Sequence, residues 1–324
     1  MKYLVTDTRV IRYNLALETY LMEHAQLDEP ILYFYINSPC IILGRNQDAY
    51  EEVNLDYVRE HNIIVTRRTS GGGAVFDDLG NVSFSFITKD DGHSNGNFAK
   101  FTDPVIEVLH EMGATKAELS GRNDLQIEGK KFSGNAMRIA HGRMFSHGTL
   151  MYDVDLDVIG HALNVPKDKI ESKGIKSVHS RVTNLKPHFT PAYQHLTIEE
   201  FRDTLAKKIL GVSDLADAKE YVLSDEDKAA VAKINAEIFS NWDFVYGKSP
   251  KAAIQHRQHF DQGTVDFRFQ IEGGKIAYLK VYGDFLGQED VRDFEQRLLG
   301  VRYDREAINQ KIDEGLVARV FGKI

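Results

Sequence analysis

RRTSGGGAVFDDLGN, residues 67–81, is the most informative stretch of this chain. Gly71, Gly72 and Gly73 stand between a β-branched run (IIVT, 63–66) and a polar turn, with Arg67 and Arg68 just before them. Glycine adopts positive φ without steric cost and keeps no side chain between backbone and ligand. Successive free N–H groups in such a loop form an anion-binding nest. Arginines at its edge add planar cationic forks suited to carboxylate or phosphate. The loop reads as a cradle for an anionic ligand, a nucleotide above all, although the glycines alone suit a flexible hairpin connection equally well. It is not a Walker A loop, because no G-x-x-x-x-G-K-[ST] occurs. Nor is it a G-x-G-x-x-G fingerprint, because Gly73 is followed by Ala74, Val75 and Phe76.

Around this loop, a chain of 324 residues exceeds the size at which single cores stop growing, so two domains are expected. A net charge of −8 argues against a nucleic-acid binder. The single cysteine, Cys40, excludes an intramolecular disulfide and any multi-cysteine zinc site. It sits in the apolar run CIIL (40–43) and reads as a buried structural thiol. No run approaches the roughly 20 apolar residues of a membrane span, and the N-terminus lacks a signal-peptide core, so a cytoplasmic protein is expected.

Residues 13–23 have amphipathic helical spacing. Residues 31–36, 40–43, 63–66 and 82–87 read as strands, the last with Val82, Phe84 and Phe86 inward and Ser83 and Ser85 outward. Asp103-Pro104 reads as the start of a helix over 105–113. Residues 124–134 read as a hairpin turning at Glu128-Gly129, and 149–156 as another strand. Thr197-Ile198-Glu199-Glu200 is a capping box for a helix closed by Gly211. A further helix runs from Ser224 through Phe239. Residues 246–250 read as a linker. Beyond it come strands at 264–271 and 275–283 and helices around 288–299 and 303–313. The expected layout is an α+β catalytic domain over 1–245 and a small C-terminal α/β domain over 251–324.

Three polar clusters accompany the loop. Asn123-Asp124 offers a carboxylate of the kind Mg²⁺ shares with phosphate oxygens, or simply a turn. Lys131, in GKKFSGNA, could hold a phosphate as a point charge, or be a solvated hairpin lysine. His147, in SHGTL, precedes a strand and is as easily structural. Together, RRTSGGGAVFDDLGN, GRNDL, GKKFSGNA, SHGTL and KGIKSVHSRVTNL resemble the lipoate–protein ligase family, over nearly the whole chain. The segment from NWDFVYGKSPK (241–251) onward resembles that family's accessory domain.

The resemblance implies a mixed-sheet catalytic domain akin to biotin ligases and class II synthetase cores. It implies activation of lipoate by ATP with Mg²⁺ to lipoyl-adenylate, without a tightly bound prosthetic group. The lipoyl group then passes to a lysine of lipoyl domains in 2-oxoacid dehydrogenases or of the glycine-cleavage H protein, with octanoate as a possible competing substrate. By position, Arg68, Gly73, Ala74, Val75, Phe76 and Lys131 match nucleotide-binding residues. Ser70, Gly72, Gly73, Lys131 and His147 are assigned to lipoate, Asp124 to the metal, and Lys131 to catalysis. The family commonly has histidine where this chain has Asp77, which could lie near the nucleotide or point into solvent. The basic residues Lys173, Lys176, Arg181 and Lys186 are candidates for an acidic acceptor. A monomer without nucleic-acid or membrane partners is expected. The rival readings are an acyltransferase working through a cysteine thioester, a biotin ligase, and a non-catalytic adenylate-binding protein.

Overall fold

The computed structural model describes residues 1–121, 123–164, 181–247, 252–260, 263–283 and 291–321. Lys173 and Lys176, and most of the expected linker, lie outside them. The chain divides into two compact units, Met1–Arg45 with Val53–Asn241, and Asn46–Glu52 with Trp242–Ile324. Residues 46–52, an excursion within the first unit's sequence, therefore cluster with the C-terminal segment. There Tyr50 meets Tyr246 and Tyr303 with ring centroids 6.0 and 5.2 Å apart.

In the first unit the strands are β1 (Lys2–Val5), β2 (Ile31–Tyr35), β3 (Cys40–Leu43), β4 (Ile64–Arg67), β5 (Val75–Asp77), β6 (Asn81–Lys89), β7 (Ala117–Ser120), β8 (Asp124–Ile127), β9 (Lys130–Ala140) and β10 (Arg143–Met151). Seven form a mixed sheet in the order β1-β2-β6-β10-β9-β8-β7, and β4-β3-β5 form a second, smaller sheet. β1 runs parallel to β2 and β4 to β3; the other pairs are antiparallel. This is the expected α+β class.

One face of the large sheet is an apolar core. Leu32, Phe34, Val82, Phe84, Phe86, Met144 and Leu150 pack with side chains of two helices, Ala99–Glu111 and Ile198–Leu210. The second of these helices has the expected capping box at Thr197 and left-handed Gly211. The first begins earlier than Asp103, leaving Pro104 inside it. Its ring falls at the sixth helical residue, past the N-terminal turn where proline costs least.

The opposite face corrects the reading of 82–87. Ser83 and Ser85 are 2% and 0% exposed, not outward in solvent. In register with them, on the same side of the sheet, stand Tyr33, Tyr35, His147 and Thr149. The helix Ile11–Glu23 packs against this polar face through β6 and β10.

The second unit has an antiparallel three-stranded sheet of β11 (Ala252–Phe260), β12 (Gly263–Glu272) and β13 (Lys275–Gly283). The helix Val291–Leu298 packs on it, burying Phe294 and Leu298. None of the described helices is long and apolar enough to cross a membrane.

Candidate active site

The glycine loop joins β4 to β5 in the small sheet and leans over the polar face of the large one. Arg68 fixes its shape from within. Its Nη2 donates to the carbonyls of Gly71 (2.7 Å) and Gly73 (2.8 Å), Nη1 to that of Ile42 (3.0 Å), and Nε to Ser70 Oγ (3.1 Å). Burial lowers the guanidinium to about 10, so it stays cationic at neutral pH. The expectation of a phosphate-facing fork at the loop's edge thus meets a different geometry. Arg68 is 7% exposed and spends its donors on the carbonyls of Gly71 and Gly73, on Ile42 O of β3 and on Ser70 Oγ. Those carbonyls are drawn to the cation, while the N–H groups of Gly71, Gly72 and Gly73 have no partner among the described residues. That is the electrostatic arrangement of an anion nest.

Two glycines make the approach possible. Gly72 has φ +95°, a conformation that side chains disfavour. A Cβ on Gly44 would lie 1.9 Å from the Gly72 carbonyl oxygen, so only glycine lets the loop close over β3.

Beneath the loop lies a pocket of about 590 Å³ including its mouth. Arg68, Gly72, Gly73, Ala74, Val75, Lys131 and His147, all named from the sequence, line it. Leu15, Tyr35, Ser83, Asn123, Asn135 and Thr149 join them. Phe76 instead pairs with Ile41 in the small sheet and is 6% exposed, off the pocket wall.

Ser70 lies behind the wall, 2% exposed, with Oγ 2.9 Å from His147 Nε2. His147 Nδ1 is 2.9 and 3.0 Å from the two carboxylate oxygens of Glu18. A chain of hydrogen bonds thus runs from Glu18 through His147 and Ser70 to Arg68. Glu18 escaped the sequence reading, but its signal was present. Ile11, Leu15 and Met22 mark the buried stripe of the first helix, and Glu18 is a carboxylate on that same stripe.

Lys131, on the pocket wall, has its Nζ 2.8 Å from Oδ1 of Asp124, which does not line the pocket; both side chains are about two-fifths exposed. The main chain of Lys131 is pinned on its far side, its N–H donating to Arg181 O and its carbonyl accepting from Thr183 N, each at 2.9 Å. Residues 181–183 are therefore a strut for the lysine strand. Lys186, from the same basic stretch, is held by Asp153 at 2.6 Å. No cluster of three metal-ligating side chains occurs among the described residues. Asp124 offers one carboxylate, which suits an ion carried mainly by nucleotide phosphates.

Asp77 lies neither in solvent nor in the pocket. It is 0% exposed, and its Oδ2 accepts from Asn37 Nδ2 and Ser83 Oγ, each at 3.0 Å. Burial raises its carboxyl to about 6, with those two hydrogen bonds opposing the rise. Cys40 is fully buried in β3, and burial pushes its thiol up, away from thiolate character.

Residues 11–210 match the model of the lipoyl protein ligase A/B catalytic domain, and residues 249–324 that of the bacterial lipoate protein ligase C-terminus. The chain belongs to the lipoate–protein ligase family. It is 47% identical over 313 residues to the lipoate–protein ligase LplJ of Bacillus subtilis, covering 97% of this chain and 93% of that one. It is 45% identical over 311 residues to lipoate–protein ligase 1 of Staphylococcus aureus, covering 96% and 93%. Among solved structures it resembles a bipartite lipoate–protein ligase from Thermoplasma acidophilum, described with its E2 lipoyl domain. That match has a TM-score of 0.65 and 28% identity, covering 78% of this chain and 98% of that one. As a lipoate–protein ligase the chain is an enzyme.

Proposed function

We propose that this pocket joins lipoate to the α-phosphate of ATP and then passes the lipoyl group to a lysine of a lipoyl domain. The observation that carries this reading is the pairing of an unpartnered N–H nest with Lys131 across one cavity. A carboxylate attacking a phosphate brings two anions together, and the site must offset their repulsion. Among the described pocket residues Lys131 is a cation placed to do so, since its side chain is held by a partly exposed ion pair. Swinging from Asp124, its ammonium reaches the place where acyl carboxylate and phosphate meet. The nest fixes the oxygens and Arg68 supplies a permanent charge beneath it. Asp124, released by the same movement, would contribute one carboxylate to the Mg²⁺ that accompanies ATP; the ion supplies further charge at the phosphates. Tyr35, Leu15 and Ala136 offer the apolar lining that an acyl tail requires.

The archaeal relative described with an E2 lipoyl domain supports a lipoyl domain as acceptor. We extend this to the lipoyl domains of 2-oxoacid dehydrogenases and to the glycine-cleavage H protein. The buried thiol of Cys40 disfavours the thioester rival. The test is to mix the protein with lipoate, MgATP and an unmodified lipoyl domain, and to follow the acceptor by intact mass. The expected result is a gain of one lipoyl group on one lysine, absent without ATP. Transfer from an acylated carrier protein without ATP, and none from free lipoate, would overturn the proposal.

A further inference from the structure

Four buried side chains, Glu18, His147, Ser70 and Arg68, make one hydrogen-bonded line whose direction is fixed at both ends. An ionised carboxylate only accepts, so the two oxygens of Glu18, 2.9 and 3.0 Å from His147 Nδ1, put the ring proton on that nitrogen. His147 Nε2 is then an acceptor and takes the hydroxyl proton of Ser70, 2.9 Å away. Ser70 Oγ in turn accepts from Arg68 Nε at 3.1 Å, and a guanidinium only donates. Ser70, His147 and Glu18 thus stand in the order of a nucleophile, a base and its orienting carboxylate. Yet Ser70 does not line the pocket, and its oxygen already receives the Arg68 proton. The set is built to hold, not to attack. Arg68 is what it holds. Burial works against the charge of this guanidinium, Glu18 favours it through space, and no carboxylate touches it among the described residues.

We infer that Glu18 is a positioning residue for adenylation: through His147 and Ser70 it fixes the fork of Arg68, and so aims the N–H groups of the glycine loop at the phosphate. This role rests on the ligase reading above and adds to it a residue far from the loop in sequence, on the helix Ile11–Glu23. Glu18 itself does not line the pocket. Its effect passes along the line. Without the carboxylate, the imidazole is free to carry its proton on Nε2. Ser70 Oγ then faces two donors, Nε2–H and Arg68 Nε–H, while its own proton loses its acceptor. Arg68 relieves this by turning away from Ser70. That movement slackens its hold on the carbonyls of Gly71 and Gly73, at 2.7 and 2.8 Å, whose direction sets the nest.

The test measures lipoate-dependent ATP–pyrophosphate exchange in Glu18→Leu, Glu18→Gln, Ser70→Ala and the double variant Glu18→Leu/Ser70→Ala. Leucine fills the space of Glu18 without an acceptor; glutamine keeps one. The leucine and alanine variants should each lose about tenfold in kcat/KM for ATP, with the KM for lipoate within about twofold of the original. Glutamine should restore exchange to within about threefold, and the double variant should fall no further than the worse single one, because both changes cut the same line. Unchanged exchange in Glu18→Leu or Ser70→Ala would overturn the inference, as would losses that multiply in the double variant. A loss confined to the KM for lipoate would also overturn it, giving Glu18 and His147 to the acyl wall. If Glu18→Leu does not fold, the other single variants decide. Full exchange in Ser70→Ala, or a loss in Glu18→Gln as large as that in Ser70→Ala, then overturns the role of Glu18. Absence of exchange in the unaltered protein is a distinct outcome: it removes the ligase reading itself, and this inference with it.

Discussion

The two faces of β6 send side chains of one strand into two different interiors. Val82, Phe84 and Phe86 enter an apolar core closed by two amphipathic helices. Asn81, Ser83 and Ser85 enter an equally dry space beneath the first helix, where Asp77, Tyr33 and His147 also lie. On the apolar side every buried group adds transfer free energy. On the polar side Asp77 Oδ1, Asn81 Oδ1 and Ser85 Oγ are buried without a partner among the described residues, each costing roughly 1–3 kcal/mol relative to solvation. One face stabilises the domain, and the other gives up part of that stability in buried polar groups behind the pocket wall.

This contrast makes the two faces respond differently to substitution. Phe201→Ala, on a helix over the apolar face, removes a fully buried ring stacked 4.5 Å from Tyr152. It should cost about 3–5 kcal/mol in denaturant unfolding, with normal activity in the molecules that remain folded. Lys131→Ala should do the reverse. Adenylate formation should fall about a hundredfold, on the order of 3 kcal/mol in the barrier, while the thermal midpoint barely moves. Equal losses of stability in the two variants would erase the distinction.

Asp77→Asn probes the cost of the polar face. The folded carboxyl is raised from 3.8 to about 6, so the folded state holds its proton more tightly than the unfolded one. Its favourable contribution is complete below pH 4 and is lost as pH rises to 6, at most about 3 kcal/mol. Urea unfolding across that window should show the loss in the natural protein and a flatter profile in Asp77→Asn. Parallel profiles would contradict the assignment. The smallest effect is expected for Cys40→Ala, about 1 kcal/mol of stability and unchanged lipoyl transfer, read by the mass assay. Abolished transfer in a folded sample would restore the thioester rival.

Much of the site was legible in the residues because the glycine loop, Lys131 and His147 are local signals, each defined by its immediate neighbours. The capped helix over 198–210 was legible for the same reason. What was hidden depends on chain that is distant in sequence. Alternation in 82–87 reports which residues are polar, not which are wet, so Ser83 and Ser85 read as outward although the helix Ile11–Glu23 packs over their face of the sheet. Arg68 was recognisably important, but only the folded loop reveals that it binds carbonyls of that loop. Gly44 gives no local hint, since its reason is the approach of Gly72 from the loop between β4 and β5.

The central claim is that the loop, Arg68 and Lys131 form an acyl-adenylate site, and pyrophosphate exchange reads it without any acceptor protein. Folded protein with MgATP and labelled pyrophosphate should incorporate label into ATP only when lipoate is added, and Lys131→Ala should reduce that rate about a hundredfold. No lipoate-dependent exchange in a folded sample, or full exchange in the Lys131→Ala variant, would contradict it.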